Sequence, residues 1–202
     1  QIQDTIFDKK HYAFYNTITG ERIPNKNVSV NIVDRTDLIT EKNTIEMLDA
    51  NAVRYKIEND DLIIEEGSYS ISSQVVISSN YNLIITEGTT FKIGPGIVFL
   101  SYANTSMNGT VQKPIQIERL VGDSTFGAFA VVGRKNQVQA NIDNVNVSGG
   151  GESFSQGIKF TGQFCIYNAN VTMNDCSFEN SDGDDGVNLK FCKAQITNCS
   201  FE

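Results

Sequence analysis

The sequence predicts an all-β protein built as a solenoid, in which short strand-rich units stack on one another. The first observation is an internal repeat: residues 62–69 (LIIEEGSY) recur as residues 83–91 (LIITEGTTF), and Leu62 and Leu83 are 21 residues apart. A unit of about 20 to 30 residues cannot bury its apolar face alone, so it has to stack on a neighbouring unit.

A second repeat lies near the end of the chain. Residues 173–179 (MNDCSFE) match residues 196–202 (ITNCSFE) at an offset of 23, and residues 142–147 (IDNVNV) fit the same frame 31 residues earlier. Apolar residues alternate within each copy, so each strand has one inward face. Stacking of equivalent positions predicts that Phe178 packs on Phe201, with strands about 4.8 Å apart.

The first quarter of the chain does not share the repeat. We expect residues 1–52 to form a small N-terminal α/β cap, with strands at 11–15 and 28–33 and a helix at 40–50. A separate small domain or a linker is the alternative. Residues 53–202 are expected to form the stacked strands.

Within the stacked part, three places depart from the regular pattern. Residues 102–113 are the least regular stretch, and we expect a loop there. The glycines at 149–151 predict the base of a projecting loop. The chain ends at Glu202 in the middle of a repeat, so we expect the β-helix to be truncated there, with an open end that pairs with further coils or another chain.

The composition limits the classes of partner that we expect. The chain has 202 residues, a formal net charge of −8 and 40% hydrophobic residues. Nucleic acids and anionic membranes need clustered Lys and Arg, so we expect neither partner. No apolar stretch reaches the roughly 18 residues that cross a bilayer, so we expect no membrane insertion. These features favour an extracellular or cell-surface location.

Four cysteines lie close together in the sequence, and none has the C-x-x-C spacing of a zinc site. They are Cys165, Cys176, Cys192 and Cys199. The first interpretation is a ladder of buried small side chains, because free cysteine is often buried. The second is a disulfide between adjacent units, which the strand spacing permits.

Two stretches carry a resemblance to a known family. Residues 64–71 read Ile-x-x-Gly-x-Tyr-x-Ile, and residues 178–189 contain a DDG-apolar-Asn strand start. Both resemble right-handed parallel β-helix proteins of the pectin-lyase-like class. The resemblance covers about three quarters of the chain and implies that fold. The class includes lyases, hydrolases, epimerases, tailspikes and adhesins, so the resemblance leaves the chemistry open.

The densest carboxylate cluster is Asp182, Asp184 and Asp185. On an extended strand, Asp182 and Asp184 share one face. One interpretation is a catalytic set that acts as general acid and base on a glycosidic bond. The cluster is similar to that of polygalacturonases, but their His-Gly and Arg-x-Lys motifs are missing, and the single histidine is His11.

The aspartates have two further interpretations. Asp184 and Asp185 are candidate calcium ligands, because calcium prefers clustered carboxylate oxygens. Asp-Gly sequences are also ordinary turns, since glycine supplies a positive φ and aspartate bonds its own backbone. Lys159 and Lys190 are candidate contacts for an acidic sugar. A solvated role for the lysines is the simpler alternative.

The sequence thus predicts an extracellular or cell-surface β-helix protein that engages polysaccharide along one sheet face. Whether it cleaves the polysaccharide is left open, as is whether it is an enzyme. The alternative is a non-catalytic structural or adhesive scaffold that binds a protein partner. An enzyme should place carboxylates together with Lys, Arg or His on one exposed sheet, whereas a scaffold should show Thr, Ser and Asn there without convergent charges.

Overall fold

The computed structural model describes residues 13–24, 41–134 and 136–202. It is all-β, with 5% helix and several parallel sheets. Helix α1 spans Glu41–Ala50, close to the helix predicted at 40–50. Within the described part of the chain, no helix has the length and hydropathy needed to cross a membrane.

Most strands belong to three parallel sheets, which we number by the order in which the chain enters them. Sheet 3 has five strands, sheet 2 has six, and sheet 1 has six parallel strands and one antiparallel edge strand. The small pairs outside these sheets are β1 (Phe14–Tyr15) with β2 (Arg22–Ile23), and β15 (Ser153–Ser155) with β16 (Ile158–Phe160). The edge strand of sheet 1 is β3 (Tyr55–Glu58). The parallel strands of sheet 1 are β4 (Asp61–Ile64), β7 (Asn82–Thr86), β10 (Asn104–Asn108), β13 (Val138–Asp143), β18 (Ala169–Asn174) and β21 (Lys193–Thr197). Sheet 2 contains β5 (Ser68–Ile71), β8 (Thr90–Ile93), β11 (Ile115–Arg119), β14 (Val145–Ser148), β19 (Ser177–Glu179) and β22 (Ser200–Phe201). Sheet 3 contains β6 (Val75–Ile77), β9 (Phe99–Ser101), β12 (Phe129–Val132), β17 (Gly162–Tyr167) and β20 (Asp185–Lys190).

The chain visits sheets 1, 2 and 3 in turn and then returns to sheet 1 one strand further on. We call one such set of three consecutive strands a rung. Leu62 pairs with Leu83, and Phe178 pairs with Phe201, as the two sequence repeats predict. The rings of Phe178 and Phe201 are stacked, with centroids 5.4 Å apart and planes at 9°. This strand order is compatible with the predicted parallel β-helix.

The main core lies between the three sheets. Alternate residues of sheets 1 and 2 are buried, while their neighbours along the strand face outward. Phe99, Phe129 and Phe164 occupy equivalent positions on sheet 3, with ring centroids 4.7 and 5.7 Å apart along the column. Such stacked aromatic rings combine a large buried apolar area with favourable ring geometry, and they fix the register of the rungs.

Four of the five strands of sheet 3, namely β6, β9, β12 and β17, are buried on both faces, whereas β20 is half-buried. The outward residues of those four strands form a second apolar cluster, separate from the main core: Val76, Leu100, Ala130, Val132, Cys165 and Tyr167. Helix α1 covers one end of this face through Met47, and Thr44 donates a hydrogen bond to the carbonyl of Val76 at 3.0 Å. Ile158 and Phe160 of strand β16 cover the other end.

Several sequence expectations need correction. The stretch 102–113 is not a loop throughout, because it contains strand β10, which pairs in register with β7 and β13. Strand β3 runs antiparallel to β4, so it precedes the first rung. The expected strand at 11–15 is described only as β1, and the one at 28–33 lies outside the described residues.

The four cysteines are free thiols. Cys165 and Cys176 are buried, whereas Cys192 and Cys199 are half-buried, in keeping with the interpretation of a buried ladder. Cys176 and Cys199 precede the paired strands β19 and β22, and each thiol donates to a backbone carbonyl, Cys176 to Asn174 at 3.1 Å and Cys199 to Thr197 at 3.3 Å. Burial raises the pKa of Cys176 to about 12, so this thiol is protonated at neutral pH.

Candidate functional site

The outer face of sheet 2 is an open polar surface, and we call it the sheet 2 face. Two columns of outward side chains run across its strands in register. The first column is Ser68, Thr90, Gln116, Asn146, Ser177 and Ser200. The second column is Ser70, Lys92, Glu118, Ser148 and Glu179. Unlike the outward residues of strands β6, β9, β12 and β17 of sheet 3, these side chains are exposed or half-buried.

A depression of about 220 Å³ lies at the centre of the sheet 2 face. Its walls are polar and its floor is formed by Ile117 and Val147. The polar lining consists of Gln116, Glu118, Asn146, Ser148, Ser177 and Glu179, from three successive rungs. The depression therefore offers amide, hydroxyl and carboxylate groups at the spacing of adjacent strands, about 4.8 Å.

Two carboxylates in the depression are far apart in sequence and close in space. Glu118 pairs with Ser148, and Ser148 pairs with Glu179, so two strand spacings separate the glutamates. Lys92 lies next to Glu118, with an ammonium-to-carboxylate distance of 3.5 Å. The face thus combines carboxylates and a lysine across neighbouring rungs, which is the pattern expected of a site that acts on a ligand.

A wall of stacked loops borders the sheet 2 face. Each loop follows the carboxyl end of a sheet 2 strand: residues 120–128 after β11, 149–161 after β14 and 180–184 after β19. The loops are joined by backbone hydrogen bonds, such as the one that the Asp182 amide donates to the carbonyl of Gly150 at 2.9 Å. The aspartate cluster therefore begins in this wall, three residues beyond Glu179.

Arg119 ties the loops of the wall together. Its Nε donates to the carbonyl of Gly149 at 3.0 Å, and its Nη2 donates to the carbonyl of Asn180 at 3.1 Å. Gly149 has a φ of +90°, and a side chain there would collide with Arg119. The Asp182 carboxylate lies 3.5 Å from Nη2 and accepts a hydrogen bond from the hydroxyl of Thr125. Asp182 thus joins two loops of the wall.

Asp184 lies beside a different pair of charges. Glu152 and Lys159 form an ion pair at 2.9 Å, on the segment that carries the β15–β16 hairpin. The Lys159 ammonium lowers the pKa of Glu152. Glu152 in turn raises the pKa of Lys159, and the negative charge of Asp184 raises it to a smaller extent. The structure therefore places the candidate residues Lys159 and Asp184 in one charged group, to which Glu152 also belongs.

Asp185 is the first residue of β20 and is held by neutral donors. Its carboxylate accepts hydrogen bonds from the Thr161 hydroxyl, at 3.0 Å, and from the Asn188 amide. The Asn188 bond is the larger cause, and the Thr161 bond the second, of the lowered pKa of Asp185. The aspartate and asparagine of the DDG-apolar-Asn stretch therefore bond to each other, which explains their spacing. Residues 180–184 are not a strand, so the expectation that Asp182 and Asp184 share a strand face is wrong.

Lys190 lies at the other end of β20. It pairs with Tyr167 across the sheet, and its ammonium is 5.0 Å from the centre of the Tyr167 ring. Such a cation–π contact stabilises a lysine on an aromatic surface. Lys190 therefore belongs to the outer side of sheet 3 and does not line the depression on sheet 2.

The calcium hypothesis finds little geometric support. In the residues that the structure describes, no group of three or more His, Cys, Asp or Glu side chains is arranged to hold a metal ion. The Asp185 carboxylate already has two donors, and the Glu152 carboxylate is paired with Lys159. Calcium takes six to eight oxygen ligands, so these residues fit the ion poorly. The catalytic, metal and substrate roles of the aspartates and lysines stay predictions.

A larger cavity, of about 660 Å³, lies next to the N-terminal segment 13–24. Its described lining consists of Tyr15, Asn16, Thr17, Gly20 and Arg134. The guanidinium of Arg134 packs on the Tyr102 ring at 4.1 Å, so it is already engaged. The described lining contains no carboxylate and none of the candidate residues. We therefore take the sheet 2 face as the better candidate site.

Comparisons with known proteins give no match: no protein-family model, no curated protein and no solved structure corresponds to this chain. Glu118 and Glu179 were not singled out from the sequence, because each is a lone acid in its strand. The signal that could have found them was the repeat register itself, extended to the outward positions.

Proposed function

We propose that this protein is a right-handed parallel β-helix of the pectin-lyase-like class that acts outside the cell or at its surface. In this proposal it engages polysaccharide along the sheet 2 face. The supporting fold observation is the cyclic order of strands through three parallel sheets in a constant register. Residues 1–52 serve as the N-terminal cap, with helix α1 packed against the first strand of sheet 3.

The observation that carries the proposal is the difference in exposure between the faces. On strands β6, β9, β12 and β17 the outer face of sheet 3 is apolar and covered, which leaves no room there for a ligand. The sheet 2 face is open, is lined by groups that hydrogen-bond hydroxyls, and has the loop wall along one side. Amide groups donate to sugar hydroxyls and carboxylates accept from them, and ligand sites are usually preformed concavities.

Binding and cleavage are separable in this proposal. The surface binds the chain through the two outward columns, and cleavage requires a general acid and a general base on either side of a glycosidic bond. Glu118 and Glu179 are the carboxylates that line the depression, and Asp182, Asp184 and Asp185 are the sequence-predicted set. Product release decides between a binding protein and an enzyme.

The test measures reducing ends and unsaturated products released from acidic and neutral polysaccharides, together with binding of the same polymers. Two variants are compared with the wild type: Glu118→Gln with Glu179→Gln, and Asp182→Asn with Asp184→Asn and Asp185→Asn. Release that only the first variant loses assigns cleavage to the sheet 2 face, and release that only the second loses assigns it to the aspartates. Binding without release supports a binding protein, and neither binding nor release refutes the proposal.

A non-catalytic scaffold is the second candidate, because the outer face of sheet 1 fits it. Asn82 donates to Asp61 at 2.9 Å, and Asn104 donates to Asn82 at 3.1 Å, in register across three strands. At the carboxyl ends of strands β13 and β18 of the same sheet, Asn174 donates to Asp143 at 2.8 Å. In these ladders, the side chains of neighbouring strands use their hydrogen-bonding groups on each other, as expected of a structural face. Capture of a protein partner, lost when Asn104 is replaced by lysine but kept when Asn146 is, would favour this candidate.

A further inference from the structure

We propose that the sheet 2 face selects uncharged polysaccharide over polysaccharide that carries carboxylate or sulfate groups. The inference rests on the proposed function and specifies its substrate class. It follows from the charges of the depression, from the hydrogen-bonding groups left available there, and from the contacts that engage the nearby cations.

The cations near the depression, Lys92 and Arg119, are both engaged by other groups. Lys92 is the lysine of the outward columns, and it is paired with Glu118 at 3.5 Å. Arg119 follows Glu118 directly, but its guanidinium is directed to the loop wall, where it bonds the carbonyls of Gly149 and Asn180. A carboxylated sugar entering the depression would therefore meet no uncommitted cation among the described lining residues.

The two carboxylates of the depression, Glu118 and Glu179, differ in whether a cation balances them. Glu179 lines the depression, and no ion pair within the described part of the chain includes it. With Glu118 balanced by Lys92, the lining keeps the negative charge of Glu179, in a protein whose formal net charge is −8. Like charges repel, and the repulsion disfavours an anionic chain at low salt most strongly.

Neutral hydroxyl and amide groups make up most of the polar lining of the depression. Ser177 donates its hydroxyl proton to the Asn146 side-chain oxygen at 2.9 Å, which orients the Asn146 amide. The Asn146 NH₂ group and the Gln116 amide belong to outward positions that line the same depression as Glu179. Amide N–H groups donate to sugar hydroxyl oxygens, and carboxylates accept from sugar hydroxyls. The depression therefore complements hydroxyl groups on each of three rungs.

The spacing of the strands that line the depression is close to that of the units of a sugar chain. The three lining rungs are in register, with Gln116 beside Asn146 and Asn146 beside Ser177. Neighbouring strands lie about 4.8 Å apart, which is close to the length of one residue in an extended sugar chain. A chain that runs across the strands would therefore place about one sugar on each rung.

Affinity electrophoresis and calorimetry of the full chain test the inference, at low and at high salt. The probes are laminarin and linear galactan, which are uncharged, and polygalacturonate, which is anionic. We expect the uncharged probes to bind at least about tenfold more tightly than polygalacturonate at low salt, and their affinity to be insensitive to salt.

Three variants locate and explain the selectivity. Asn146→Ala should weaken binding of the uncharged probe about 3- to 10-fold, the effect of a lost hydrogen bond. Asn170→Ala, an outward asparagine on sheet 1, is the matched control and should change binding less than about twofold. Glu179→Gln, which keeps the shape, should raise the affinity for polygalacturonate.

The outcomes separate the two proposals. Tighter binding of polygalacturonate than of the uncharged probes would overturn the selectivity and leave the polysaccharide function standing. No binding of any probe would overturn the polysaccharide function itself. Equal effects of Asn146→Ala and Asn170→Ala would remove the sheet 2 face as the binding surface.

Discussion

The outer faces of sheets 2 and 3 belong to the same rungs but carry opposite kinds of side chain. On strands β6, β9, β12 and β17 of sheet 3 the outward positions are apolar and buried, beneath helix α1 and the β15–β16 hairpin, whereas the last strand, β20, carries Asn188 and Lys190 there and is half-buried. On sheet 2 the outward positions are Ser, Thr, Asn, Gln, Glu and Lys, and they are open. The difference shows that the stacked register fixes the frame, while the outward residues decide which face is covered and which can meet a ligand.

The largest expected effect comes from the core that both faces share. Phe178→Ala should lower the free energy of unfolding by about 3 to 5 kcal/mol, because a buried ring that packs on Phe164 and Phe201 leaves a cavity. Chemical denaturation measures the change. A loss below about 1 kcal/mol would contradict the inward position of Phe178.

The second largest effect should come from substitutions in the hairpin that covers sheet 3. Phe160→Ala should cost about 3 kcal/mol, because Phe160 is fully buried and stacks on Tyr167 with centroids 5.6 Å apart. It should also speed the reaction of Cys165 with a thiol reagent, since the hairpin shields that thiol. Phe154→Ala is the matched control, because Phe154 is in the same hairpin but 71% exposed. Equal losses for the two variants would mean that the hairpin does not cover sheet 3.

Alkaline pH should weaken the fold through its buried thiols. The pKa of Cys176 is about 12 in the folded protein against an ordinary 9.0. As pH rises from about 9 to about 12, the unfolded state loses this proton first, so the free energy of unfolding falls across that window and levels off above it. Thermal unfolding at a series of pH values measures the slope. Cys176→Ala should flatten it, and an unchanged slope would assign the effect to other groups.

A small effect is expected on the open side of the comparison. Lys92→Ala should change the free energy of unfolding by less than about 0.5 kcal/mol, because the Lys92–Glu118 pair is half-exposed and its attraction is screened. Added salt should shrink the difference further. A loss above about 1.5 kcal/mol would show that the sheet 2 face contributes to folding as the sheet 3 face does.

Removal of calcium by a chelator should have the smallest effect on stability. A chelator should shift the melting temperature by less than about 1 °C, because Asp185 is already bonded by Thr161 and Asn188. A larger fall that disappears in the double variant Asp184→Asn, Asp185→Asn would establish a calcium site. The same measurement with added calcium would then give its affinity.

The repeats predicted the strand pairing well. The offsets of 21, 23 and 31 are the observed registers of Leu62 with Leu83, Phe178 with Phe201, and Val147 with Phe178. Register is predictable because a one-residue slip would turn every inward side chain outward. Strand β10 was missed because Asn, Thr and Ser dominate it, and its pairing with both neighbouring strands makes it a strand.

The candidate site was less predictable. A dense run of aspartates is visible in a sequence, whereas Glu118 and Glu179 meet only through two strand pairings. The second apolar face of sheet 3 did leave a signal, because the runs at β6 and β12 are continuously apolar rather than alternating. Such runs are typical of strands buried on both faces.

The corner between sheets 2 and 3 absorbs most of the variation in rung length. It spans residues 72–74 in the first rung and residues 149–161 in the fourth, while the strands on either side keep their pairing. This corner therefore tolerates insertions. A foreign peptide grafted at the hairpin tip, between Gln156 and Gly157, would be displayed beside the loop wall without breaking the register of the strands. Libraries of such grafts would make the protein a rigid display scaffold whose recognition properties can be changed separately from its fold.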